Sequence, residues 1–387
     1  MLKISEKKDC TGCYACAAIC KNGAIVMKKD EEGFRYPVIN ESKCIKCKLC
    51  ERVCPVKNQS NTNNILESYA AFNKNDEIRK LSSSGGLFTR FAKQILDEGG
   101  VVFGAAFDEN YNVHHIYVKT ESELEKLRSS KYLQSQIKDS FVKVKSFLEK
   151  GRKVLFSGTP CQVAGLKSFL RRDYKNLYTQ DIICHGVPSP QVWQKYLTTV
   201  NTENKKIEKV CFRSKRNGWK NYGLEIVYED STDYFCDFRE NTYSKAFLNN
   251  LCLRPSCYEC AFKKQKPFSD VTLADYWGVD IENPNIDDNK GISVVIINSE
   301  KGKELLFDET DNLFVDKLDI SVVIQHNPSL VVRSHMNKKR DYFMRNVGKK
   351  DFDKLVDKCT KQKRRTKLVH FTRRAFGKMR RTIVRRR

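Results

Sequence analysis

The chain has 387 residues, 40% hydrophobic and 11% aromatic, which fits a globular protein of two or three domains. No apolar run approaches the ~18 residues of a helical membrane span, so none is expected. The net charge of +24 is uneven, because thirteen Lys and Arg and no acid fall from Lys361 onward. Met1 to Lys8 is polar and predicts no secretory leader, hence reduced thiols and a cytoplasmic address rather than a disulfide scaffold for the sixteen cysteines.

The first element in the chain is a repeated cysteine run. Cys10, Cys13, Cys16 and Cys20 follow the spacing C-x2-C-x2-C-x3-C, and Cys44, Cys47, Cys50 and Cys54 repeat it. In such a run three thiolates hold one 4Fe–4S cube and the fourth reaches across to the other cube. The spacing therefore assigns Cys10, Cys13, Cys16 and Cys54 to one cluster, and Cys44, Cys47, Cys50 and Cys20 to a second. Zinc ribbons and disulfide frameworks do not repeat this period. Pro55 follows Cys54 as expected, whereas Lys21 stands where a proline would follow Cys20. Residues 1–57 read as a bacterial-type two-cluster ferredoxin domain and 58–66 as a polar linker.

A mixed α/β and α+β core is expected over residues 67–345. Tyr69–Phe72 predicts a strand, and the apolar positions 87, 88, 91, 95 and 96 predict a helix. Strands are predicted at 99–107, 113–118, 153–157 and 176–183, with helices near 139–150 and 162–170 between them. Residues near 207–236 read as antiparallel strands, and Val271–Leu273 as a further strand. Cys161 and Cys184 fall just after two successive strands, where ligands of open α/β sheets collect.

Four features of this core carry chemistry. Ser84, Gly85 and Gly86 precede the helix at Leu87, which suits a phosphate or a plain serine cap. Lys131, Tyr132 and Gln134 place a cation, a phenol and an amide in one loop, suited to a flavin or phosphate, or a solvated turn. Cys257 and Cys260 form a C-x2-C pair; with Cys161 and Cys184 they supply four thiols for a third 4Fe–4S cluster or for one zinc ion. Ala274 to Gly278 is an aromatic–acid turn. Cys211, Cys236, Cys252 and Cys359 lack such spacing and read as ordinary buried thiols.

Taken together, Ser83–Phe88, Lys131–Gln134, Ser157–Gln162, Cys184–Ser189, Arg213–Trp219, Leu253–Cys260 and Ser269–Gly278 resemble the coenzyme F-420 hydrogenase/dehydrogenase beta subunit family. The resemblance runs from about Tyr69 to about Phe343, behind the ferredoxin domain. It implies an FAD in a mixed-sheet core beside a core cluster, with Ser84, Gly85, Gly86, Lys131, Tyr132, Gln134, Gly158 and Thr159 around the flavin. Lys131 would stabilise the reduced ring and His185 would relay a proton, the catalytic pair of this reading; a structural role for His185 competes. It further implies an iron–sulfur flavoprotein oxidoreductase whose organic acceptor is a deazaflavin coenzyme or an intermediate of polysaccharide biosynthesis. The alternatives are a non-catalytic subunit passing electrons to a partner enzyme, or a zinc-bound binding module. No G-x-G-x-x-G opens a nucleotide-binding unit, which argues against direct NAD use.

The last segment, 346–387, reads as a basic amphipathic tail, with apolar residues at 368, 371, 375, 376, 379 and 383. Peripheral contact with an anionic inner membrane face is the favoured reading, ahead of an acidic partner protein or a disordered tail. Nucleic acid is disfavoured, since no aromatic platform or binding domain accompanies the charge.

Overall fold

A computed structural model describes residues 5–59, 62–263, 265–308 and 310–361. The N-terminal unit comprises the helix Ala15–Ile19, an antiparallel hairpin of β1 (Ile25–Lys29) and β2 (Arg35–Ile39), and the helix Leu49–Arg52. Each helix directly follows one cysteine loop, so the sequence repeat becomes a structural repeat.

The core contributes β3 (Glu67–Asn73), β4 (Val101–Phe107), β5 (Val113–Val118), β6 (Val154–Ser157) and β7 (Leu177–Ile182). Next come β8 (Ile207–Ser214), β9 (Gly223–Tyr228) and β10 (Asp233–Asp237), which form a separate three-stranded antiparallel sheet. The chain then returns with β11 (Val271–Asp275), β12 (Ser293–Ile297) and β13 (Leu313–Lys317). Eight strands make one mixed sheet in the order β13-β3-β12-β11-β7-β6-β4-β5. Its central pairs β11/β7, β7/β6 and β6/β4 are parallel, and the remaining pairs are antiparallel.

Both faces of this sheet are covered, which explains the continuous apolar runs of its central strands. Val101, Phe103, Val154 and Phe156 point to one face with helices Ser140–Glu149 and Pro160–Leu170. Val102, Ala106 and Leu155 point to the other, where helix Leu87–Asp97 lays down Leu87, Phe91, Ala92 and Ile95 at helical spacing. Cys13, Tyr14, Ala15 and Val53 of the N-terminal unit complete the first of these cores, so the unit is packed onto the sheet's helical layer.

Three expectations differ from the structure. Helix Pro160–Leu170 starts two residues before position 162, because Thr159 caps it in a capping box with Gln162 and Pro160 takes the first helical position. The helix at Leu87 has no serine cap: Gly86, with φ of 87°, is the cap residue and no side chain caps it. The stretch read as the start of the tail is folded in part, since helix Phe352–Thr360 buries Phe352, Leu355, Val356 and Cys359 against the β8–β10 side of the core. The basic amphipathic pattern beyond position 361 lies outside the described residues. Among those described, no helix is long and apolar enough to cross a membrane.

A buried ion pair joins the N-terminal hairpin to the core. Arg340 donates from Nη1 and Nη2 to the Glu32 carboxylate at 2.9 and 2.6 Å, and both side chains are largely out of water. Removing one partner of such a pair strands the other charge, at a cost of about 3–5 kcal/mol. Glu32→Ala is therefore expected to lower the unfolding free energy by that order and the urea midpoint with it, and a midpoint equal to the parent's would contradict the role of this pair.

Candidate functional site

The two cysteine loops share an uncommon backbone. Gly12 and Tyr14 flank Cys13 with φ of 69° each, and Lys46 and Lys48 flank Cys47 with φ of 56° and 59°. Left-handed conformations at non-glycine residues are strained and persist where function needs the shape. Their recurrence at equivalent positions shows that both loops are built to curl around something.

The thiols are gathered as the spacing predicts for the first set. Cys10, Cys13, Cys16 and Cys54 line one cavity of about 270 Å³. Burial pushes the thiols of Cys10, Cys13 and Cys16 above their ordinary pKa. Of the second set, Cys20 and Cys50 pack together beside Ile25, while Cys47 lies exposed at the loop tip. The first cysteine set thus lines a cavity, while the second reaches the surface at Cys47.

The core thiols also converge. β6 and β7 are adjacent and parallel, so the residues after them, Cys161 and Cys184, emerge side by side. Helix Pro255–Tyr258 brings Cys257, and Cys260 follows; all four thiols line one cavity of about 60 Å³. The Val187 amide donates to the Cys257 sulfur at 3.4 Å, and the Thr159 hydroxyl lies 3.2 Å from that of Cys161. Burial raises the pKa of Cys161, Cys184 and Cys257, that of Cys184 to about 11. Asp181, at the floor of the cavity, is pushed up to about 7 by burial while accepting from the Thr272 hydroxyl.

The inner ferredoxin-type loop and the core thiols are neighbours. Thr11 lines both cavities. A Cβ built on Gly165, in the helix that carries Cys161, would lie 2.9 Å from the Cys13 Cβ and 3.1 Å from its sulfur. Glycine is what lets the loop sit on the helix.

Sequence-predicted flavin residues divide into two groups. Ser84, Lys131 and Tyr132 border a half-buried region with Ser83, Arg213 and Lys215. Arg213 is buried, holds Asp275 at 2.9 and 3.2 Å, reaches the Tyr132 hydroxyl at 3.2 Å and stacks 3.9 Å from the Tyr222 ring. Among the described residues its Nε has no partner. Burial moves Lys131 and Lys215 down to about 7; both donate only to backbone carbonyls, Lys131 to Lys126 and Arg128, Lys215 to Arg79, Ser84 and Lys290. The second group is used inside the fold: Gly85 is closed in by Ala71 and Ser293, Gly86 by Ile78 and Asn73, and Thr159 caps its helix beside Gly158. Gln134 turns to Thr11 and Arg254. His185 bonds Asn250 Oδ1 at 2.7 Å through Nε2, and burial lowers its pKa.

Sequence reasoning gave no role to Arg213, Lys215, Asp275, Thr11, Gly165 or Arg254. The stretches Arg213–Trp219, Leu253–Cys260 and Ser269–Gly278 contain four of these, so the signal was there without its spatial partners. Of the four thiols expected to be buried, Cys252 and Cys359 are, whereas Cys211 and Cys236 are half-buried, Cys211 lying 3.6 Å from the Ser129 hydroxyl.

Comparison with known proteins bears on these sets. Residues 68–140 and 151–321 match the profiles of the N terminus and C terminus of the coenzyme F420 hydrogenase/dehydrogenase beta subunit. Residues 9–58 match a 4Fe-4S dicluster domain. A subunit of the F(420)H(2) dehydrogenase of Methanosarcina mazei is 25% identical over 174 residues, covering 41% of this chain and 48% of that protein. The chain thus spans about half the length of that relative. An uncharacterized ferredoxin of Methanocaldococcus jannaschii is 34% identical over 74 residues, 19% of this chain and 87% of that one. A chain of the F420-reducing [NiFe] hydrogenase complex from Methanosarcina barkeri superposes with a TM-score of 0.47 at 14% identity, covering 74% of this chain and 94% of that one.

Gly165→Ala is expected to push the Cys13 loop off the helix, since the added Cβ would meet the Cys13 Cβ and sulfur at 2.9 and 3.1 Å. Overpacking of this kind costs about 1–3 kcal/mol. Iron content after desalting should fall in this variant; full retention with an unchanged thermal midpoint would contradict the close approach.

Proposed function

The chain belongs to the coenzyme F420 hydrogenase/dehydrogenase beta subunit family, and from that premise we propose an iron–sulfur flavoprotein oxidoreductase. Electrons pass between an outer cluster at Cys20, Cys44, Cys47 and Cys50, an inner cluster at Cys10, Cys13, Cys16 and Cys54, and a core cluster at Cys161, Cys184, Cys257 and Cys260. The observation that supports this reading most is the contact of the Cys13 loop with Gly165, four residues beyond Cys161. Electron transfer needs short separations between carriers, and here one ligand loop rests on the helix that carries the other ligand.

FAD is proposed as the next carrier. The fit rests on three cationic groups that are half-buried or buried without a carboxylate on every nitrogen: Lys131, Lys215 and the Nε of Arg213, which has no partner among the described residues. An anionic group among them would restore their charge, and the FAD pyrophosphate and reduced ring are both anionic. Lys131 and Tyr132 would border the ring, with Ser84, Arg213 and Lys215 toward the phosphates. Gly85, Gly86, Gly158, Thr159 and Gln134 would shape the loops around it. When bound, FAD converts one-electron traffic into two-electron hydride chemistry. Tyr132 packs in the same apolar cluster as Cys257, which supports a position for this loop beside the core thiols. His185 sits at that cavity and would hold a proton on Nε2 toward Asn250. The acceptor is proposed to be an organic coenzyme, with a deazaflavin as the first candidate given the names of the relatives.

Composition tests this directly. Anaerobically purified protein is expected to hold about twelve irons and one FAD per chain, as three clusters and a flavin require. Cys257→Ala should lose about four irons and leave the other eight. Eight irons in the parent would remove the core cluster, and the absence of flavin would remove the flavoenzyme.

The basic segment from Lys361 onward is proposed to hold the protein against anionic lipid, each cation contributing around 1 kcal/mol at such a surface. Flotation with anionic liposomes should require residues 361–387, and equal flotation of a chain ending at 360 would dismiss the idea.

A further inference from the structure

Among the described residues, the buried Arg79, Arg213 and Arg340 have carboxylate partners. Arg79 holds Asp288 at 2.6 and 2.7 Å, Arg213 holds Asp275, and Arg340 holds Glu32. Arg254 does not. It is 0% exposed, yet among the described residues no carboxylate lies within ion-pair distance of it.

Its contacts are neutral oxygens and one sulfur. Nε donates to the Cys10 carbonyl at 2.7 Å and Nη1 to Gln134 Oε1 at 2.8 Å. Nη2 donates to the Arg35 carbonyl at 3.0 Å and points to the Cys10 sulfur at 3.7 Å. The guanidinium also lies 4.2 Å from the Tyr36 ring centre. A fully buried cation without an anion is among the most unfavourable features a fold can contain. Such a site calls for an anion, and the side of Cys10 is where one fits.

We infer that Arg254 is the fixed counter-charge of the inner cluster and raises its reduction potential above that of the outer one. The inference rests on the proposed inner cluster at Cys10, Cys13, Cys16 and Cys54. A cube held by four thiolates is a net anion, and the electron it accepts adds one more negative charge. A buried cation at its edge stabilises the reduced form more than the oxidised form, and donation toward a ligand sulfur acts in the same sense. No proton moves; one electron enters and the iron is reduced.

The outer cluster has no buried equivalent among the described residues; Arg52 donates from Nη2 to the Cys47 carbonyl at 3.2 Å, but Arg52 is exposed. Cys44, at the position matching Cys10, has Lys43, Lys46 and Lys48 as its neighbours in the chain, all exposed and therefore screened. Two cubes with the same ligand set are thus placed in different fields. Electrons arriving at the exposed Cys47 loop would run downhill to the inner cube, toward the core. Arg254 also grips Gln134, whose Nε2 donates to the Thr11 carbonyl at 3.0 Å, so the counter-charge is fixed to the seam between the two units.

The test is an EPR-monitored redox titration of the full chain, with the inner cluster identified as the signal lost in Cys13→Ala. Arg254→Gln should lower the inner midpoint by about 59 mV or more, a tenfold change in a one-electron equilibrium. Arg254→Lys should restore most of the difference. Gln134→Glu, near-isosteric, places a carboxylate against the guanidinium and should lower the same midpoint with Arg254 in place. In each variant the outer midpoint should stay where it is, and the core midpoint should move less than the inner one. An unmoved inner midpoint in Gln134→Glu, or equal shifts of all clusters in Arg254→Gln, would overturn the inference. Absence of any signal lost in Cys13→Ala would instead overturn the inner cluster itself.

Discussion

The close approach of the Cys13 loop to Gly165 is the constraint on which the rest of this molecule depends. It turns two units that could have been joined only by a chain into one packed body with its thiol sets side by side. A side chain at 165 would stand where the Cys13 Cβ and sulfur lie. Thr11 on both cavities, the Glu32–Arg340 pair and the Arg254 bonds to Cys10 and Gln134 all act around that point. The sheet contributes by geometry: adjacent parallel strands β6 and β7 end together, so Cys161 and Cys184 meet without long loops.

Local signals were the legible part. Ligand spacing at Cys10–Cys20 and Cys44–Cys54 is written in consecutive residues, and the cavity at Cys10, Cys13, Cys16 and Cys54 follows it. Strands β4 to β7 and helix Leu87–Asp97 were readable because apolar periodicity is local too. The set Cys161, Cys184, Cys257 and Cys260 was reached by counting thiols, and all four line one cavity. What could not be read was any pair distant in sequence. Arg254 and Cys10, Gly165 and Cys13, Arg213 and Tyr132 meet only through the order of the sheet, and three antiparallel neighbours at one edge of that sheet leave no local trace. The Ser84–Gly86 turn misled for a related reason: its glycines answer to Ala71, Ser293 and Asn73, which are invisible from the motif itself.

Charge is distributed with the same logic. Arg79 and Arg340 are neutralised by carboxylates and serve the fold. Arg213 has its carboxylate too, but among the described residues its Nε has no partner, and Arg254 faces a thiol. Two lysines, Lys131 and Lys215, are held among carbonyls with their pKa values brought down to about 7 by burial. Positive charge held away from water is costly, and its concentration around one loop and one cysteine cavity argues for anionic occupants there. The proposed iron–sulfur cubes and flavin would be such occupants.

The central claim is that the ferredoxin-type clusters and the core cluster form one electron path. The most direct measurement is the spin relaxation of the core cluster in fully reduced protein, compared with Cys13→Ala, which lacks the inner cluster. The account predicts faster relaxation of the core signal in the parent, because a second paramagnet lies beside it. Identical relaxation in the two proteins would mean that the clusters are magnetically isolated, and the proposed path between them would fail.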